Sequence, residues 1–190
     1  MFDTLLISTS IVALAEIGDK TQLLALLLAA RYRKPVPIIL GILIATLANH
    51  FIAAGIGHQV SQLFEQSTLL WILAASFLAV AIWTLIPDKL DTDGHIISKY
   101  GPFIATLVAF FLAEMGDKTQ VATVMLAAQF DYFWLVVCGT TLGMLLANAP
   151  VVLMGNFAAE HLPLKLIRSF AAASFLAFAI YCVWQAMYLT

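Results

Sequence analysis

Seven residues of this chain, Glu16-Ile17-Gly18-Asp19-Lys20-Thr21-Gln22, return 98 positions later as Glu114-Met115-Gly116-Asp117-Lys118-Thr119-Gln120, with one apolar exchange. Both copies lie inside apolar runs long enough to cross a bilayer, where ionisable side chains should be scarce. A central Asp or Lys costs ~2.5–3.5 kcal/mol on insertion scales. Six such groups facing lipid would cost on the order of 15–20 kcal/mol, more than the net stability of a typical fold. They must face protein or water, and something must compensate them. Any fold for this chain has to bring both copies inside.

The surrounding sequence agrees. Of 190 residues, 63% are hydrophobic and 11% charged, with a mean hydropathy of +0.99, whereas soluble domains carry roughly 25% charged residues. The expectation is an all-α integral membrane protein whose first partner is the lipid bilayer. No cleavable signal is evident, because the first apolar run lacks a basic leader and is charged at its centre. With no basic tail and no low-complexity run, nucleic acid is not expected as a partner. Cys138 and Cys182 both fall in apolar runs and read as small buried hydrophobes rather than a disulfide.

Six apolar segments can be marked, at Asp3–Ala30, Val36–Val60, Thr68–Pro87, Gly101–Gln129, Phe133–Phe157 and Lys165–Tyr188. Each is near or above the ~20 residues that span the hydrocarbon. Proline marks edges at Pro35, Pro37, Pro87, Pro102 and Pro163, and only Pro150 lies inside a segment, where it predicts a kink. The repeat runs beyond the motif: Gly41 matches Gly139, and Ser76–Ile82 matches Ser174–Ile180, both 98 positions on. Leu47-Ala48-Asn49 matches Leu146-Ala147-Asn148 at 99. The chain therefore reads as two three-helix units, residues 1–90 and 100–190, joined by a cytoplasmic linker at 91–99. An odd number of helices per unit inverts the second copy, the architecture of many secondary transporters, whose sites lie at the midplane between the repeats.

Loop charges support this topology. With the N-terminus on one face, Arg31, Arg33, Lys34, Lys89, Lys99, Lys165 and Arg168 all fall on the opposite face, leaving only Asp3, Glu65 and Asp131 on the first. The basic face is cytoplasmic by the positive-inside rule, so both termini are expected outside.

Glu16 lies about 11 residues into its segment, ~17 Å deep and near the midplane. On a continuous helix Glu16, Asp19 and Lys20 share one face. Gly18 and Gly116 leave the backbone bare, permitting close approach of another helix or local unwinding. If the units pack about a pseudo-two-fold axis, Glu16, Asp19, Glu114 and Asp117 converge as metal ligands, flanked by Gln22 and Gln120. Asn49 and Asn148 stand opposite them, as ligands or as interhelical hydrogen-bond glue. Thr21 and Thr119 supply further neutral oxygens. Lys20 and Lys118 read as charge balance, because an ammonium repels a cation. Every candidate ligand atom is oxygen, which suits Ca²⁺, Mn²⁺ or Mg²⁺ rather than Cu or Zn. Four carboxylates and two lysines sum to −2, which one divalent cation neutralises. When it leaves, protons are its natural replacement, so proton exchange is expected. His50 has Ala149 at its repeat position and reads as packing or pore lining, while His58, His95 and His161 read as solvated. Gly139 and Gly143 form a helix-packing signal.

A paired Glu-φ-Gly-Asp-Lys/Arg-Thr/Ser motif in a small six-helix protein resembles the family known as UPF-zero-zero-sixteen. That family includes Golgi GDT-type proteins and bacterial manganese exporters of the MneA type. Both copies here match it fully: Glu16, Gly18, Asp19, Lys20 and Thr21, then Glu114, Gly116, Asp117, Lys118 and Thr119. The resemblance covers essentially the whole chain and implies transport of Mn²⁺ or Ca²⁺ against protons, with no prosthetic group. Golgi members usually carry an N-terminal extension and a long acidic central loop. Their absence favours a bacterial inner-membrane exporter of Mn²⁺. A Ca²⁺/H⁺ antiporter using the same site and a passive cation channel are the competing readings. A membrane-embedded enzyme fits poorly: Glu16 and Glu114 stand where intramembrane aspartyl proteases have glycine, and no arginine lies in these helices to hold phosphate.

Overall fold

The computed structural model describes residues 2–86, 101–154 and 164–189. These form eight helices: α1 (Phe2–Glu16), α2 (Lys20–Tyr32), α3 (Pro35–Leu63), α4 (Gln66–Thr84), α5 (Pro102–Glu114), α6 (Lys118–Gln129), α7 (Phe133–Met154) and α8 (Leu164–Leu189). The linker at 91–99, Pro87, Lys89, His95, Lys99, His161 and Pro163 lie outside the described residues, as do the side chains of Lys165 and Arg168.

The first and fourth apolar segments are not continuous helices. Each breaks at its motif, so α1 and α2 are 15 and 13 residues long, and α5 and α6 are 13 and 12. The cause is the glycine: φ is +82° at Gly18 and +75° at Gly116, a left-handed conformation that side chains with a Cβ disfavour by ~1–2 kcal/mol. The glutamine of the motif then satisfies the exposed backbone. Gly18 N donates to Gln22 Oε1 at 2.9 Å, and Gly116 N donates to Gln120 Oε1 at 2.7 Å. Asp19 and Asp117 occupy the N-cap positions of α2 and α6, and Asp19 Oδ1 accepts from Lys20 N at 2.6 Å. The shared helical face expected for Glu16, Asp19 and Lys20 does not exist, because the chain turns between them.

Among the described residues, four helices are long and apolar enough to cross a membrane: α3, α4, α7 and the Ser169–Leu189 stretch of α8. Pro37 falls inside α3, which starts at Pro35 and reaches Leu63, past the expected Val60. Pro150 lies within α7, which continues to Met154.

The two sequence units interlock rather than packing as separate bundles. The most extensive interfaces are α4 on α8, α1 on α7, and α3 on both α5 and α6. The repeated glycines show how closely the units correspond. A Cβ on Gly41 would lie 2.9 Å from Phe103 O and 2.8 Å from Thr106 Cβ, and one on Gly139 would lie 2.8 Å from both Leu5 O and Ser8 Cβ. Phe103 and Thr106 stand 98 positions after Leu5 and Ser8, so α3 crosses α5 as α7 crosses α1. Gly143 is likewise pressed on α1, at Thr9 O and Ala13 N.

Two apolar clusters result. One contains Leu69, Leu70, Leu73, Phe77, Leu126 and Phe175, and the other contains Leu24, Leu28, Ile38, Ile42, Phe110 and Val151. A polar belt separates them. Along α3 the buried residues pass from Ile38, Ile42 and Ala45 of one cluster through Thr46, Asn49 and His50 to Ala54 of the other. Cys182 is buried as expected, but Cys138 is exposed on α7, and neither is oxidised.

Candidate functional site

Both helix breaks lie in this belt. Glu16 ends α1 and Glu114 ends α5, each fully buried, while Asp19 and Asp117 are 1% exposed. The two aspartates are bound to the two lysines in a crossed pattern. Lys20 Nζ lies 3.1 Å from Asp117 Oδ1, and Lys118 Nζ lies 3.0 Å from Asp19 Oδ2. Each lysine thus pairs with the aspartate of the other unit rather than with the glutamate four residues before it. Lys118 is almost wholly buried, and Lys20 about a quarter exposed.

The glutamates are held differently. Glu114 Oε2 accepts from Thr119 Oγ1 at 2.9 Å, whereas Glu114 Oε1 and both oxygens of Glu16 have no hydrogen-bond partner. Buried polar atoms are nearly always satisfied, and a bare carboxylate oxygen shut away from water is among the costlier exceptions. Three such oxygens in one belt are unusual enough to need a cause.

The asparagines are set up alike. Asn49 Nδ2 donates to Phe111 O at 3.0 Å, and Asn148 Nδ2 donates to Met144 O at 3.1 Å. In both, the amide hydrogens are anchored and the buried Oδ1 is left unpaired. Gln22 Nε2 donates to Ala147 O at 3.0 Å, tying the first break to α7 beside Asn148. Gln22 and Gln120 each engage their carbonyl oxygen on a glycine N–H and so brace the breaks. Thr21 Oγ1 is buried without a hydrogen-bond partner, while Thr119 Oγ1 orients Glu114.

The four carboxylates do not form a closed shell in this conformation. Among the described residues, no three His, Cys, Asp or Glu side chains stand close enough to hold a metal ion together.

His50 reads from the sequence as packing or pore lining, and the structure encloses it. It is fully buried on α3 next to Asn49, and neither ring nitrogen has a hydrogen-bond partner. Its one-sided place in the repeat is the only sequence signal that could have marked it. His58, expected to be solvated, is partly buried. With Gln62, Gln66, Gln129, Asp131 and Gln185 it lines a polar cavity of about 550 Å³ at the ends of α3, α4, α6 and α8.

The profile describing the family "Divalent cation/proton antiporter GDT1" matches residues 4–92 and 102–189, nearly the whole of both sequence units. A Vibrio cholerae serotype O1 protein that bears the name "Putative manganese exporter" is 56% identical over 181 residues, covering 95% of this chain and 90% of that protein. The Saccharomyces cerevisiae protein named "Divalent cation/proton antiporter GDT1" is 22% identical over 236 residues, covering 95% of this chain and 83% of that protein. A GDT1-like protein 3 of Oryza sativa is 25% identical over 206 residues, covering 95% of this chain and 73% of that protein. No solved structure matches the chain. The protein is an integral membrane transporter and not an enzyme, and it belongs to the GDT1 family of divalent cation/proton antiporters.

Proposed function

We propose that this protein exports Mn²⁺ from the cytoplasm in exchange for protons, through one midplane site shared by its two units. The observation that carries the reading is the set of bare, fully buried carboxylate oxygens on Glu16 and Glu114. Asp19 and Asp117 complete the acidic set, and the unpaired Oδ1 atoms of Asn49 and Asn148 add neutral donors. These are oxygen ligands of the kind that hard divalent ions take. The identity to a relative named for manganese export favours Mn²⁺ as the cargo over Ca²⁺, which the same oxygens would also accept.

The architecture proposed is six crossings. The pairs α1–α2 and α5–α6 each traverse the membrane once as a discontinuous helix, and α3, α4, α7 and α8 each traverse it whole. Broken helices at membrane depth are tolerated where they line a protein-buried site. Three crossings per unit invert the second unit and leave both termini outside, in a bacterial inner membrane. The exposed Arg31, Arg33 and Lys34 at the α2–α3 corner would then face the cytoplasm. A carboxylate site sealed at 0–1% exposure between two apolar clusters favours an exchanger over an open channel.

The test is flux through the purified protein in proteoliposomes. Saturable Mn²⁺ transport that moves protons the opposite way is expected, and it should slow when a protonophore collapses the pH gradient. Flux indifferent to that gradient would sink the exchange reading. Transport of Ca²⁺ in clear preference to Mn²⁺ would replace the cargo but keep the site.

A further inference from the structure

We infer that Lys20 and Lys118 are tethered competitors of the cargo, and that their crossed ion pairs latch the two units together whenever the cargo is not held. The inference rests on the assignment of Asp19 and Asp117 as ligands made above. Its basis is the pattern of pairing. Each ammonium reaches to an aspartate oxygen of the other unit, at 3.1 and 3.0 Å. A divalent ion bound to those oxygens would sit ~2–2.6 Å away. An ammonium at its present position and a divalent ion on the same aspartate would be in mutual contact as like charges, in a belt shielded from water, where their repulsion is weakly screened. The two states of the aspartate exclude one another.

The bare oxygens make the order of events explicit. Glu16 and the free oxygen of Glu114 can take an arriving cation without displacing anything. Asp19 and Asp117 can join only after Lys118 and Lys20 withdraw. Loading therefore breaks two bonds between the units and replaces them with a single ion held by both. Unloading does the reverse, since the lysines return and neutralise the aspartates. A lysine that only balanced charge would pair as well with a carboxylate of its own unit. The crossing ties occupancy of the site to the relative position of the units.

The experiment compares wild-type protein with Lys118→Met, Lys20→Met and Lys118→Arg in detergent and in proteoliposomes, with Mn²⁺ as the probe. Calorimetric affinity for Mn²⁺ should rise roughly tenfold in either methionine variant, within the range usual for coupled sites, and stay near wild type in Lys118→Arg. In liposomes the ratio of net Mn²⁺ export to Mn²⁺/Mn²⁺ exchange should fall in the methionine variants, because the unloaded protein has lost its latch. In an Asp19→Asn background, Lys118→Met should give no further tightening, which separates competition for that aspartate from a general field effect. Unchanged or weaker binding in the methionine variants overturns the inference, as does additive tightening in the Asp19→Asn background. If Lys118→Met does not fold, Lys20→Met carries the test, because Lys20 is the more exposed of the two. Wild-type affinity in both Asp19→Asn and Asp117→Asn would instead defeat the ligand assignment itself.

Discussion

At the scale of single residues, the site is defined by what its polar atoms lack as much as by what they touch. Glu16 is shut away from water with both carboxylate oxygens bare, an arrangement that lowers stability and so asks for a functional return. Glu16→Gln is expected to reduce Mn²⁺ transport to the level of empty liposomes. The protein should meanwhile keep its helix content and its melting temperature, because the amide removes a buried charge. A variant that transports normally would take Glu16 out of the site. His50 invites the complementary change. With two unpartnered ring nitrogens, replacement by an apolar residue of similar volume removes a desolvation penalty. His50→Leu should therefore be stabilising by about 1 kcal/mol if the ring serves only packing. Thermal unfolding in detergent, read beside Mn²⁺ transport, decides it: gain in stability with loss of transport would mark His50 as a working residue. The candidate residues themselves were legible in the sequence, since charge at membrane depth is expensive enough to be conspicuous. Their partners were not. Nothing in the spacing of Lys20 and Glu16 could reveal that the lysine bonds across to Asp117.

At the scale of elements, the decisive event is the break of two helices into four. The unbroken helical face that the spacing of Glu16, Asp19 and Lys20 predicts does not form, and the unwinding that Gly18 permits takes its place. Periodicity could not warn of it, because the flanking residues are apolar on every side and a buried helix has no polar face to lose. The signal was present in the glutamine. Four residues after each glycine stands the one side chain that can reach back and accept the glycine N–H. Gly116→Ala isolates the backbone term, since a Cβ there meets nothing within 4 Å. The variant should lose about 1–2 kcal/mol from the left-handed conformation alone, measurable as a lower melting temperature. Gly41→Val and Gly139→Val test a different term. At these positions a Cβ runs into a neighbouring backbone carbonyl at 2.9 and 2.8 Å, so the helices must separate. Each should be destabilised by about 1–3 kcal/mol, and by similar amounts, because the two crossings are equivalent. Unequal losses would show that the correspondence of the units stops short of their energetics.

At the scale of the whole molecule, the repeat was readable but its consequence was not. Matching residues 98 apart reveal two units; they do not say whether those units stand side by side or interlock. The structure chooses interlocking. α1 packs on α7 and α5 on α3, so each unit completes the other's core, and the lysines cross in the same sense. An isolated unit would expose the apolar faces of its broken helix and leave its aspartate and its lysine without their partners across the interface. Residues 1–90 or 100–190 expressed alone should thus be degraded or aggregated in the membrane. Co-expressed from separate genes, the two should co-purify and restore Mn²⁺ transport, because the described helices of one unit pack directly on those of the other. The measurement is affinity capture of an untagged unit by a tagged one, followed by flux in proteoliposomes. A single unit that purifies as a stable helical monomer would mean that each unit has a sufficient core of its own, and the coupling of occupancy to unit motion would then lose its structural basis.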